Sequence, residues 1–253
     1  MPLLRDMILA PQRSAPHFAA PICTRPASTG GGHPPHETRP VIDGDEPRTV
    51  RGYSVHCIDG IDFLSTSTVL SIMRWGDLGH VDPFALEYGR MRGSYVDQAC
   101  RCLDEGCLDI EALDPKIRPY VAAWGEFTIR EPWRCTGIEA PVFNDWMRTF
   151  GYRDRIGTFD GKPCVLDLKT SEYIGTGFWL QLASYLTTTR AKACDVQLKK
   201  DGTYALHWLE NPLAWRKRFE ALAHEAHEYI KEEEAREQFY LEKRRAGRRK
   251  AVA

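Results

Sequence analysis

The chain has 253 residues, a net charge of −1, 43% hydrophobic and 27% charged residues. That is enough for one domain with a real core, or at most two small ones. The near-zero charge excludes a global basic field, so a nucleic-acid partner has to be held by local patches. No apolar run approaches the ~18 residues needed to span a membrane, and no membrane association is expected.

Residues 1–47 are rich in Pro, Gly, Ser, Thr and His, as in STGGGHPPHETRP, and keep no period of 2 or 3.6. They read as a disordered arm. Arg5 and Asp6 interrupt the one short apolar run, so no secretory signal is read there. Order is expected from near Thr49. Gly52–Cys57 and Ile61–Leu64 read as strands around an Asp59-Gly60 turn. Ser65 to Thr68 offer caps for a short helix over Val69–Trp75.

A second helix follows Pro83, with Gly93 as its expected break. Beyond it Val96, Cys100 and Leu103 share one helical face. Ile117, Tyr120, Val121, Trp124 and Phe127 form another apolar stripe. Strand signals then cover Ile138–Phe143, Gly151–Thr158 and Pro163–Thr170; a helix covers Phe178–Thr188. Cys194–Leu198 and Thr203–Leu209 make a hairpin around Asp201-Gly202, and a long helix starts at Pro212. The order predicts a mixed α/β, α+β domain over residues 48–242: a central mixed sheet flanked by helices. Residues 243–253 read as a basic tail.

The eight cysteines are scattered, and Cys100, Cys102 and Cys107 lack the paired C-x2-C knuckles of a zinc site. They read as reduced structural thiols in a cytoplasm.

The chemistry concentrates in YRDRIGTFDGKPCVLDLKTS, residues 152–171. Asp160-Gly161 is a two-residue hairpin signal, because a type I′ turn wants φ > 0 at both positions. Phe159 then faces Lys162, and counting outward sets Asp154 opposite Asp167, with Cβ atoms about 4.5–5.5 Å apart. Asp167 and Lys169 share that face, while Leu166 and Leu168 point to the other. A four-residue loop would instead set Asp154 opposite Lys169, still with all three on one face. Facing carboxylates repel, and a divalent cation offsets that; Mg²⁺ or Mn²⁺ suits hard oxygen ligands. A lysine beside them adds positive charge and a proton-transfer group.

With these residues in view, the chain resembles the PD-(D/E)XK nuclease superfamily, in its RecB-like, phage-type exonuclease branch. Asp154 followed by Asp167-Leu168-Lys169 resembles the D…(D/E)-x-K signature. Gly151-Tyr152-Arg153-Asp154-Arg155 resembles G-x-x-D-R, and Gln181-Leu182-Ala183-Ser184-Tyr185 resembles Q-x-x-x-Y. Arg92-Gly93-Ser94-Tyr95-Val96-Asp97 resembles R-G-x-x-x-H, with Asp97 in place of the histidine, and Ser67-Thr68-Val69-Leu70 resembles the opening segment. The ordered set spans about residues 50–210, and the order is more specific than any one motif.

The resemblance implies a restriction-endonuclease-like core. It implies metal ligation by Asp154, Asp167 and the Leu168 carbonyl, with Lys169 positioning or deprotonating the attacking water. Gln181 and Tyr185 would orient DNA or the site. Asp97 stands as a further ligand, a helix surface residue or a mark of degeneration, and Glu139 as a carboxylate behind the ligands, a second-metal carboxylate or a surface ion pair. Arg92, Arg153, Arg155 and Trp179 are candidate DNA contacts, joined by the C-terminal basic cluster. No cysteine trio follows the Q-x-x-x-Y segment, so no iron–sulfur cluster is expected.

The expected activity is Mg²⁺- or Mn²⁺-dependent hydrolysis of DNA in recombination or repair, in a bacterial or phage-infected cytoplasm. A homo-oligomer or a single-strand annealing protein is the expected partner. Two other readings stand beside it. One is a DNA-binding module of the same fold that has lost turnover. The other is an interaction protein in which the D…DxK face is only a salt bridge.

Overall fold

The computed structural model describes residues 47–75, 81–188 and 190–252. The expected N-terminal arm, all but Pro47, lies outside the described residues. The chain opens with three short strands: β1 (Arg48–Val50), β2 (Tyr53–Ile58) and β3 (Ile61–Ser65). Arg51-Gly52 and Asp59-Gly60 join them with positive φ at both positions, the requirement of a type I′ turn. Helix α1 (Thr66–Ile72) starts directly on β3, because the Ser65 hydroxyl accepts the Thr68 N–H at 3.0 Å.

Helix α2 (Pro83–Asp104) begins on Asp82, which caps the Phe84 N–H, and Pro83 occupies its first turn. The expected break at Gly93 does not occur; the helix runs straight through it. A mid-helix glycine costs about 1 kcal/mol, and the buried stripe of Val96, Ala99 and Cys100 offsets it. Helix α3 (Arg118–Arg130) follows, with Tyr120, Val121, Trp124 and Phe127 buried as its stripe predicts.

Next come β4 (Trp133–Asn144), β5 (Thr149–Phe159) and β6 (Lys162–Lys169), then α4 (Thr176–Tyr185). Strands β7 (Lys192–Leu198) and β8 (Tyr204–Trp208) lead into α5 (Pro212–Val252). Residues expected as a separate basic tail continue this helix through Val252.

The fold is α+β: one eight-stranded mixed sheet with helices on both faces. The path is β1-β2-β3-β5-β6-β7-β8, with β4 on β5. The period of 2 separates the two faces. Cys164, Leu166, Cys194 and Val196 pack beneath α2 and α3, while Val165 and Ala193 pack beneath α4. Helix α5 lays Phe219, Leu222, Ala223, Ala226 and Ile230 over α1, Leu180 and the first three strands. No described cysteine forms a disulfide, and no described helix is long and apolar enough to cross a membrane.

Candidate active site

The site forms where β5 changes partner. Strand β4 pairs with β5 along the whole of one edge. On the other edge, Thr149 and Phe150 pair in parallel with Leu64 and Ser65, and Arg155 to Phe159 pair antiparallel with β6. Residues 151–154 lie between these two partners, where the strands splay. Tyr185 fills the opening from α4. A Cβ on Gly151 would sit 2.7 Å from the Tyr185 ring and 3.2 Å from Thr66 Oγ1, so only glycine lets the ring in.

The two-residue turn holds: Asp160 and Gly161 both have positive φ, and Phe159 faces Lys162. The register runs out to Arg155 opposite Leu166, one step short of Asp154 and Asp167. At that step the backbone ladder gives way to a side chain. Asp154 Oδ2 accepts the Leu168 N–H at 2.8 Å. Asp167 is buried, and its carboxylate forms an ion pair with the Lys169 ammonium. Lys169 Nζ also donates to Gln181 Oε1 at 3.0 Å and lies 4.7 Å from the centre of the Phe178 ring. Gln181 Nε2 donates to Asp167 Oδ1 at 3.3 Å and to the Tyr185 hydroxyl at 2.9 Å. The i, i+4 pair on α4 thus holds the D-x-K strand from above.

Sequence reasoning missed Asp195. It lies on β7, in register with Asp167 across a parallel pair, and so on the same face. It is fully buried, and neither carboxylate oxygen has a hydrogen-bond partner. The available signal was an Asp inside the apolar run Ala193–Leu198, the same anomaly that marked Asp167.

The electrostatics follow from burying these carboxylates together. Burial first, and then the Asp167 charge, push Asp154 up to about 7; Lys169 and the Leu168 N–H oppose this. The same two causes push Asp195 up to about 8. Burial also raises Asp167, against the pull of Lys169. For Lys169 burial disfavours the charge, yet Asp167, Asp195 and Asp154 together more than offset it and its pKa is raised.

Other expected site residues are engaged elsewhere. Asp97 faces Arg155, Oδ1 to Nη1 at 3.2 Å. Burial and the Asp154 charge push its carboxyl up to about 6. Glu139 falls between the register pairs Ile138–Arg155 and Ala140–Arg153, across from Asp154. Its φ of +47° is in the left-handed region, and its carboxylate pairs with Arg101 at 3.0 Å. Asp97 and Glu139 are each held by an arginine, Arg155 and Arg101, and the Asp97 carboxylate lies within electrostatic reach of Asp154 and Asp167. Among the described residues no three His, Cys, Asp or Glu side chains form a metal cage.

Of the expected DNA contacts, Arg155 needs correction. Its side chain is 0% exposed. It donates to Asp104 at 2.6 Å and to the Asp154 carbonyl at 2.8 Å, beneath the sheet and away from any surface. Its place in G-x-x-D-R is therefore structural: it pins β5 to α2. Arg92 donates to the Thr170 carbonyl at 2.9 Å, and Arg153 to the Pro141 carbonyl at 2.8 Å; both are partly exposed. Trp179 is half-buried, packed beside His207.

Mg²⁺ takes one or two protein carboxylates and leaves its other positions to water and substrate phosphate. Two facing carboxylates with raised pKa, next to the Leu168 backbone, fit that description. The Asp167 carboxylate is engaged by the Lys169 ammonium at Oδ2 and by Gln181 at Oδ1, so turning to a cation costs part of these two contacts.

Comparison with protein-family models and with curated proteins found no match to this chain.

Proposed function

We propose that the chain is a Mg²⁺- or Mn²⁺-dependent nuclease that hydrolyses DNA phosphodiester bonds. The observation that supports this best is the meeting of Asp154, Asp167 and Lys169 with Gln181 and Tyr185 in the gap between β3 and β6. Residues from three elements share one small polar site joined by direct hydrogen bonds. A salt bridge on a solvated face needs none of these bonds.

In this reading Asp154 and Asp167 hold the cation, with the Leu168 carbonyl beside them. When bound, the cation supplies Lewis-acid charge and makes water more acidic. Lys169 orients the attacking water and offsets negative charge growing on the phosphoryl oxygens. Its raised pKa argues for an ammonium in that role rather than a free amine acting as base. Gln181 keeps the ammonium beside the carboxylates, and Tyr185 keeps Gln181 turned toward them. Arg92 and Arg153, partly exposed, offer charge to the DNA backbone. Action at DNA ends, in recombination or repair, is the form that the sequence resemblance favours. So are further copies of the chain or a single-strand annealing protein as partners.

One observation favours a second reading, a DNA-binding module without turnover. Lys169 is tied to Asp167 and Asp97 to Arg155, leaving two carboxylates short of a cage. The test is degradation of linear and closed-circular duplex DNA with Mg²⁺, Mn²⁺ or EDTA, by wild type and Lys169→Ala. Metal-dependent loss of linear DNA alone, abolished by the substitution, supports an exonuclease. Cutting of the circle makes it an endonuclease. DNA binding without cleavage, under any metal, selects the second reading.

A further inference from the structure

Asp195 has no place in the proposed chemistry, yet it is a fully buried acid with both oxygens unpartnered. Such a group is expensive to keep, and removing it would relieve the fold. Its position says what it is for. Asp195 is in register with Asp167, and Lys169 is in register with Gln197 two residues on. The Lys169 ammonium therefore has two carboxylates on the same face within its field, one on its own strand and one on the next. It is paired with Asp167, and Asp195 waits without a partner.

We infer that Asp195 is a positioning residue for Lys169: it receives the ammonium when Asp167 turns to the cation. This inference rests on the metal-dependent reading above. An oxygen of Asp167 cannot serve Lys169 and a cation equally, so cation binding requires Lys169 to give up part of its ion pair. A buried ammonium without a counterion costs several kcal/mol. Asp195 supplies that counterion on the same face, its proton leaving to solvent as the cation takes over the Asp167 charge, with no hydrogen bond to break first. Gln181 and the Phe178 ring both meet the same ammonium, so it keeps two contacts on this face while its carboxylate partner changes. A backbone shift is not needed, because side chains two residues apart on neighbouring parallel strands are diagonal neighbours.

The experiment measures Mn²⁺ binding alone, by electron paramagnetic resonance titration without DNA. It uses full-length wild type, Asp195→Asn, Lys169→Ala and the double variant. Circular dichroism checks each fold, and Asp195→Ser is the second choice where asparagine does not fold. Expected is a roughly tenfold weaker Mn²⁺ affinity for Asp195→Asn in the presence of Lys169, a change of about 1.4 kcal/mol. In the Lys169→Ala background the same substitution has no effect, because there is no ammonium to re-house. An equal loss in both backgrounds overturns the inference and makes Asp195 a direct ligand or a structural residue. No loss in either background overturns it as well. Absence of Mn²⁺ binding by wild type and Lys169→Ala alike overturns the metal-dependent reading itself, and this inference with it.

Discussion

The Asp154 carboxylate closes the β5–β6 ladder by accepting the Leu168 N–H at 2.8 Å, where the next backbone bond would otherwise fall. One oxygen is thereby fixed to the neighbouring strand, and the strands can splay without leaving a bare donor.

This divides the two simplest substitutions of Asp154. Asparagine keeps an acceptor for Leu168 and removes the repulsion with Asp167. Alanine leaves the N–H without its partner. Asp154→Ala is expected to be less stable than Asp154→Asn by about 1–2 kcal/mol, read from urea midpoints at neutral pH. Both should lose DNA cleavage by about 10²-fold or more. Equal stability of the two would mean that the Leu168 bond contributes nothing.

Gly151→Ala puts a methyl where the Tyr185 ring already lies, 2.7 Å from its nearest carbon. The ring is buried and cannot swing out without taking Gln181 with it. A loss of about 1–3 kcal/mol is expected, with cleavage lost alongside. Pairing it with Tyr185→Leu should recover stability but not activity, measured by thermal unfolding and DNA degradation. A Gly151→Ala protein as stable as wild type would show that the ring is not held.

Arg155→Ala tests a structural role. The arginine is buried between Asp104 and the Asp154 carbonyl, over the Trp124 ring. Removing one partner of a buried pair costs about 3–5 kcal/mol. The expected result is a large fall in the urea midpoint. Lysine should rescue little of it, since it has no planar fork. A stable variant with weakened DNA affinity would instead return Arg155 to the DNA surface.

The acidic cluster sets a pH dependence. Asp97, Asp154 and Asp195 are raised to about 6, about 7 and about 8. An unfolded Asp titrates near 4. Between these limits the folded state binds more protons than the unfolded one, so stability falls as pH rises. Without metal, this site's contribution is fully present below about pH 4 and is lost by about pH 8. The expected urea midpoint in EDTA therefore declines from pH 5 to pH 8, with other carboxylates such as Asp62, whose pKa is lowered beside Arg48, acting in the opposite sense at low pH. Asp195→Asn should flatten the upper end of that decline. A midpoint that climbs steadily to pH 8 in both proteins would contradict the raised values.

The hairpin was open to sequence reasoning because its information is local. A two-residue turn with φ > 0 at both positions sets the register of every residue counted from it. That is how Asp154 and Asp167 were paired, and why Gln181 and Tyr185, four apart, could be put on one helix face. The end of the ladder was not legible, because it depends on β3, 85 residues upstream of its partners, taking over the edge of β5. Arg155 shows the same limit. Its neighbours in sequence place it in a motif; only the packing of α2 shows that it faces Asp104 and Asp97. Propensity alone predicts a break at Gly93, and the buried face of α2 overrides that preference.

By itself the sequence determined the strands, the helix faces, the I′ turns and the polar face carrying Asp154, Asp167 and Lys169. All of these follow from periods and turn chemistry within a few residues. Only the tertiary structure decided which strands lie side by side. Strands β6 and β7 run parallel and are joined through α4, and no turn sets the register of such a crossover. Packing of apolar side chains on both faces sets it instead. That packing put Asp195 beside Asp167, where no local pattern could have announced it.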